Sequence, residues 1–160
     1  EEKLSNIEKL RLKVGEMVAK RVCSELEIPT PAIEIWMFAP GLCGDYGVGR
    51  IRINRLVLSA DLWTFLKTLQ HELAHHVDEV LPREKKEKYG IERFYDAVIV
   101  VCTIFEKALI EDDEFRNEIK RIIEEIKVAP TKGKEYEMTF IALLFIPLSM
   151  WLLAQGVRGE

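Results

Sequence analysis

Between Val48 and Val77 the spacing of apolar residues changes from every second position to every third or fourth. Ile51 and Ile53, extended by Leu56, set against Arg50, Arg52 and Asn54, predict a half-exposed strand over residues 48–58. From Ser59 onward, Leu62, Leu66, Leu69, Leu73 and Val77 share one face of a helix. Ser59 or Asp61 supplies a cap, and Leu81-Pro82 closes the helix near Val80. A strand feeding directly into an amphipathic helix must bury one face of each, and this fixes the centre of the fold.

The flanks complete the plan. Ile7, Leu10, Val14, Met17, Val18 and Val22 predict a helix over 6–26 with Ser5 as its N-cap. Ala32–Phe38 reads as a strand, and Pro40-Gly41 and Gly44-Asp45 are turn signals, with Tyr46 in a further short strand. A charged stretch (REKKEK) follows Pro82, then helices over about 91–110 and 112–127. The expected fold class is α+β: a small, mostly antiparallel sheet of three to four strands packed on the central helix, with additional C-terminal helices. With 160 residues and 48% hydrophobic composition the chain supports one domain over 1–160. Its parts are an N-terminal helix (1–28), a core (32–110) and a C-terminal helical extension (111–160).

Residues 138–154 carry no charge over 17 positions and contain Pro147. Three readings stand: a buried helix or helix pair, a membrane anchor at the lower edge of spanning length, or a segment packed over the site. A net charge of −4 argues against nucleic acid as a partner. Arg50, Arg52 and Arg55 read as a solvated strand face. Cys23, Cys43 and Cys102 have no metal-site or disulfide spacing, and the chain opens with no apolar leader, so a reducing, cytoplasmic setting is expected. The glycines at 41, 44, 47 and 49 form no phosphate loop.

Chemistry concentrates in residues 71–75, His71-Glu72-Leu73-Ala74-His75. Positions four apart on a helix share a face, so two imidazoles can reach one Zn²⁺. Glu72 sits about a hundred degrees around, where its carboxylate faces a metal-activated water and can serve as general base. His76 points away from that face and reads as a rim residue or as one that supports the ligands from behind. No later histidine exists, so a carboxylate must complete the coordination.

HExxH followed by a carboxylate on a later helix resembles the gluzincin metallopeptidases. Their ExxxD pattern is matched by Glu92-Arg93-Phe94-Tyr95-Asp96, seventeen residues after His75. The stretch from Gly49 to Glu79 is also similar to the strand-then-helix core of SprT-like proteins and archaeal minigluzincins, and the lack of a third histidine favours the latter. The resemblance covers about residues 32–96 and implies a zincin-like fold. It also implies a zinc-dependent metallopeptidase with His71, His75 and Glu92 as ligands, Glu72 as base and Asp96 as the partner behind the ligand. Its substrate would be an extended peptide or protein. Glu111, in a stretch resembling the carboxylates of ImmA/IrrE-type metallopeptidases, Glu106 and Asp96 itself are alternative third ligands. Asp78 lies on the ligand face but is short and displaced along the axis. Tyr89 or Tyr95 is a candidate hydrogen-bond donor to the oxyanion. A latent or regulatory protein on the same scaffold, possibly membrane-associated through 138–154, is the alternative function.

Overall fold

A computed structural model describes residues 3–37 and 41–129. Residues 138–154, and with them the readings of that segment, lie outside the described residues.

The first helix, α1 (Asn6–Leu26), opens on a reciprocal cap: Ser5 Oγ accepts from the Glu8 N–H and the Glu8 carboxylate accepts from the Ser5 N–H. Three strands follow: β1 (Ala32–Trp36), β2 (Gly44–Gly47) and β3 (Arg50–Asn54). The central strand is β3, between β1 and β2. A hairpin whose turn holds Gly49 at φ 72° makes β2 antiparallel to β3. The other edge of β3 is taken by β1 in parallel, with Ile33 opposite Ile51 and Ile35 opposite Ile53. The sheet is therefore evenly mixed, which corrects the expectation of a mostly antiparallel one. The reason is that β3 receives its hairpin partner on one edge and the incoming strand after α1 on the other.

The strand is also shorter than the expected span of residues 48–58. The Asn54 side chain accepts the Leu56 N–H and caps a short helix, α2 (Arg55–Ala60), which buries Val57 and Leu58. Asp61 then caps α3 (Leu62–Val80) through the Thr64 N–H. The charged stretch after Pro82 is itself a helix, α4 (Arg83–Tyr89), closed by Gly90 at φ 72°. Its Arg, Glu and Lys residues are good helix formers without an apolar stripe, so periodicity alone misses it. Two helices complete the described chain, α5 (Phe94–Glu111) and α6 (Asp113–Val128).

The core is continuous from α1 through α3 to α5 and α6, with Val14, Val18, Ile51, Ile53, Leu69, Leu73, Val101 and Ile119 fully enclosed. Cys23 and Cys102 are buried in it, and burial pushes both thiols up to about 12, so they act as small apolar groups. Each arginine of the Arg50–Arg55 stripe meets a carboxylate: Arg50 with Glu34, Arg52 with Asp45 and Arg55 with Glu8. Arg52 also lies 4.9 Å from the Trp36 ring centre. Among the described residues, no helix is long and apolar enough to cross a membrane.

Glu8 joins α1 to α2. Burial raises the pKa of its carboxyl. Hydrogen bonds from Arg55, the Ser5 N–H and the Ser59 hydroxyl outweigh that and hold it down to about 2. A carboxylate with a depressed folded-state pKa stabilises the fold above its unfolded value of 4.5 and loses that contribution as pH falls towards 2. Glu8→Gln is thus expected to lose about 2 kcal/mol at neutral pH. Denaturant melts of parent and variant at several pH values should show the gap narrowing between pH 4.5 and 2, with a constant gap counting against this account.

Candidate metal centre

On α3 the helical repeat places His71 and His75 one turn apart, their ring centres 5.0 Å from each other. His71 is exposed and His75 half-buried, so both imidazoles sit at the surface of a helix whose opposite face lies in the core. The edge strand β2 flanks this face on one side, where Gly44 leaves no room for a larger residue beside Thr68 and the Arg52 carbonyl. The first turn of α5 flanks it on the other. The Phe94 ring stacks on His75 at 4.1 Å and 21° and meets His71 edge-on at 5.1 Å.

Glu72 turns towards β2 and is 7% exposed. Its carboxyl makes no hydrogen bond or ion pair among the described residues. Burial, reinforced by the Asp45 carboxylate on β2, raises its pKa to about 7. A carboxyl so placed exchanges protons near neutrality.

One turn further round, His76 is 2% exposed and spans two elements. Its Nε2 lies 2.7 Å from the Pro29 carbonyl, which can only accept, so Nε2 carries the proton. The ring's Nδ1 lies 3.1 Å from the Tyr46 hydroxyl, within hydrogen-bond distance. Burial raises the Tyr46 pKa, and nearby Glu79 adds to the effect, so the hydroxyl keeps its proton. This chain of bonds ties α3 to edge strand β2 and to the turn after α1, which fixes the rotation of the helix carrying the imidazole pair. Sequence reading placed His76 off the ligand face, but its burial and its bond to the Pro29 carbonyl correct the expectation of a rim residue; Tyr46 was missed, its only signal a tyrosine near a turn.

The carboxylates are arranged less tightly. Glu92 is exposed in the turn before α5, two residues from Phe94. Asp96 Oδ2 accepts the N–H groups of Glu92 and Arg93, both at 2.9 Å, and these bonds lower its pKa. Asp96 is thereby engaged in fixing the start of α5. Asp78 pairs with Lys86. Glu106 and Glu111 lie twelve and seventeen residues beyond Phe94 on α5, roughly 18 and 25 Å along the axis. Tyr95 is 53% exposed, and Tyr89 lies beside Lys88. Among the described residues, no group of three His, Cys, Asp or Glu side chains is disposed to hold a metal. Two imidazoles and a neighbouring carboxyl are donors of the kind zinc takes, but among the described residues no third protein donor is assembled with them.

Comparison of the chain with protein-family models, curated proteins and solved structures finds no match.

Proposed function

We propose that the chain is a zinc-dependent hydrolase that cleaves peptide bonds, with His71 and His75 as metal ligands and Glu72 as general base. The observation that carries this reading is the Glu72 carboxyl, buried, without a hydrogen-bond partner among the described residues, and next to a pair of imidazoles one turn apart. A buried carboxyl with no hydrogen-bond partner among the described residues contributes nothing to stability, which supports a chemical role for it. Zinc bound there would lower the pKa of a water and polarise a substrate carbonyl. Glu72 would accept the proton of the attacking water and pass it to the leaving amine. His76, held by Tyr46 and Pro29, keeps the helix in the rotation that turns Glu72 towards β2. Such a site is expected to act on extended peptide.

Glu92 is the proposed third ligand, because it lies two residues from Phe94, whose ring touches both imidazoles. Glu92→Ala is expected to weaken zinc binding at least about tenfold, while Glu106→Ala and Glu111→Ala leave it unchanged. Competition against a chromophoric chelator measures this. A tenfold loss in Glu111→Ala with none in Glu92→Ala would transfer the ligand to the other end of α5. The second reading, a latent or regulatory protein on the same scaffold, corresponds to zinc bound without peptide cleavage.

A further inference from the structure

We infer that Phe94 is a positioning residue for the imidazole pair, doing for His75 what a hydrogen bond does at most histidine ligands; this rests on the zinc reading above. A metal-binding histidine ordinarily donates its other ring N–H to a carboxylate, carbonyl or water, which fixes the plane of the ring. Among the described residues no protein group hydrogen-bonds to the His75 ring. Two rings pack against it: His71, edge-on at 5.0 Å, and Phe94, stacked at 4.1 Å and 21°. A flat stack sets the imidazole plane while leaving the in-plane nitrogen lone pair open to a metal.

The Phe94 ring is itself held. It is the first residue of α5, and the turn before it is pinned by the two N–H groups donated to Asp96. The same ring meets His71 at 69°, so one side chain constrains both imidazoles. Phe94 is only half-buried, at the rim of a core that continues inward through Ala97 and Val101. Its place in the apolar spacing of α5 is that of an ordinary core residue, and its contact with the imidazoles emerges only from the packing of α5 on α3.

The test is zinc affinity by chelator competition, the absorption spectrum of the Co²⁺-loaded protein, and the melting temperature of the metal-free protein. Phe94→Leu and Phe94→Met fill the space without a flat face, so a folding failure in one leaves the other. Both are expected to bind zinc about 10- to 100-fold more weakly, with a broadened or shifted Co²⁺ spectrum. Phe94→Tyr keeps the ring and is expected to stay within about threefold of the parent. Unchanged affinity and spectrum in the Leu or Met variant, or an equal loss in the Tyr variant, overturns the positioning role. A parent that binds neither metal overturns the zinc reading itself, a result separate from either of these.

Discussion

Glu72→Gln is expected to bind zinc as tightly as the parent and to cleave peptide at least about a hundredfold more slowly. The amide keeps the shape of the side chain but cannot take up a proton. It is also easier to bury than a carboxylate, and Glu72 has no hydrogen bond among the described residues for the substitution to break. Stability should therefore hold or rise slightly, which separates a chemical role from a structural one. Zinc affinity, turnover of an unstructured peptide and a thermal melt read the three quantities independently. Equal turnover in parent and variant would remove Glu72 from the chemistry, and lost zinc binding would make it a ligand instead of a base.

The second large effect concerns what supports the site. At Gly15, α1 crosses α3 so closely that a Cβ would lie 2.6 Å from Phe65 Cε2 and 3.0 Å from Leu69 Cδ2. Phe65 and Leu69 are fully enclosed, and Leu69 lies two residues before His71. Both side chains are packed on every side and have little room to yield. Gly15→Leu is expected to destabilise the fold by about 3 kcal/mol, and Gly15→Ala by less, since alanine recovers about 1 kcal/mol of helix propensity. Gly47→Ala is the control, because nothing lies within 4 Å of a Cβ at that position. Chemical denaturation measures all three. A Gly15→Leu protein as stable as the parent would show that α1 does not press on α3 as described.

Much of the architecture could be read from the chain because its signals are local. Ser5, Asp61 and the apolar spacing of α1, α3 and α6 locate those helices to within a residue or two. The errors arise where local pattern and packing compete. The apolar run Leu56-Val57-Leu58 reads as more of the strand, yet Asn54 caps a helix there. Parallel pairing of β1 with β3 depends on where the chain re-enters the sheet, which no short window encodes. The candidate site divides the same way. His71, Glu72 and His75 follow from helical spacing alone. Tyr46 and Phe94 reach the motif from a different strand and a different helix, through contacts 30 and 19–23 residues away in sequence. The third carboxylate is harder still, since Glu92 lies in a turn whose side-chain direction is set by neither helix nor strand.

The most direct test of the account is the metal content of the purified protein after equilibration with Zn²⁺ and exhaustive dialysis. Parent and a His71→Ala/His75→Ala double variant should be measured side by side, with melting curves to show that both are folded. The account predicts about one zinc per chain in the parent and none in the variant. A folded parent without zinc, or a variant that keeps it, would contradict the claim that these two imidazoles form a metal centre.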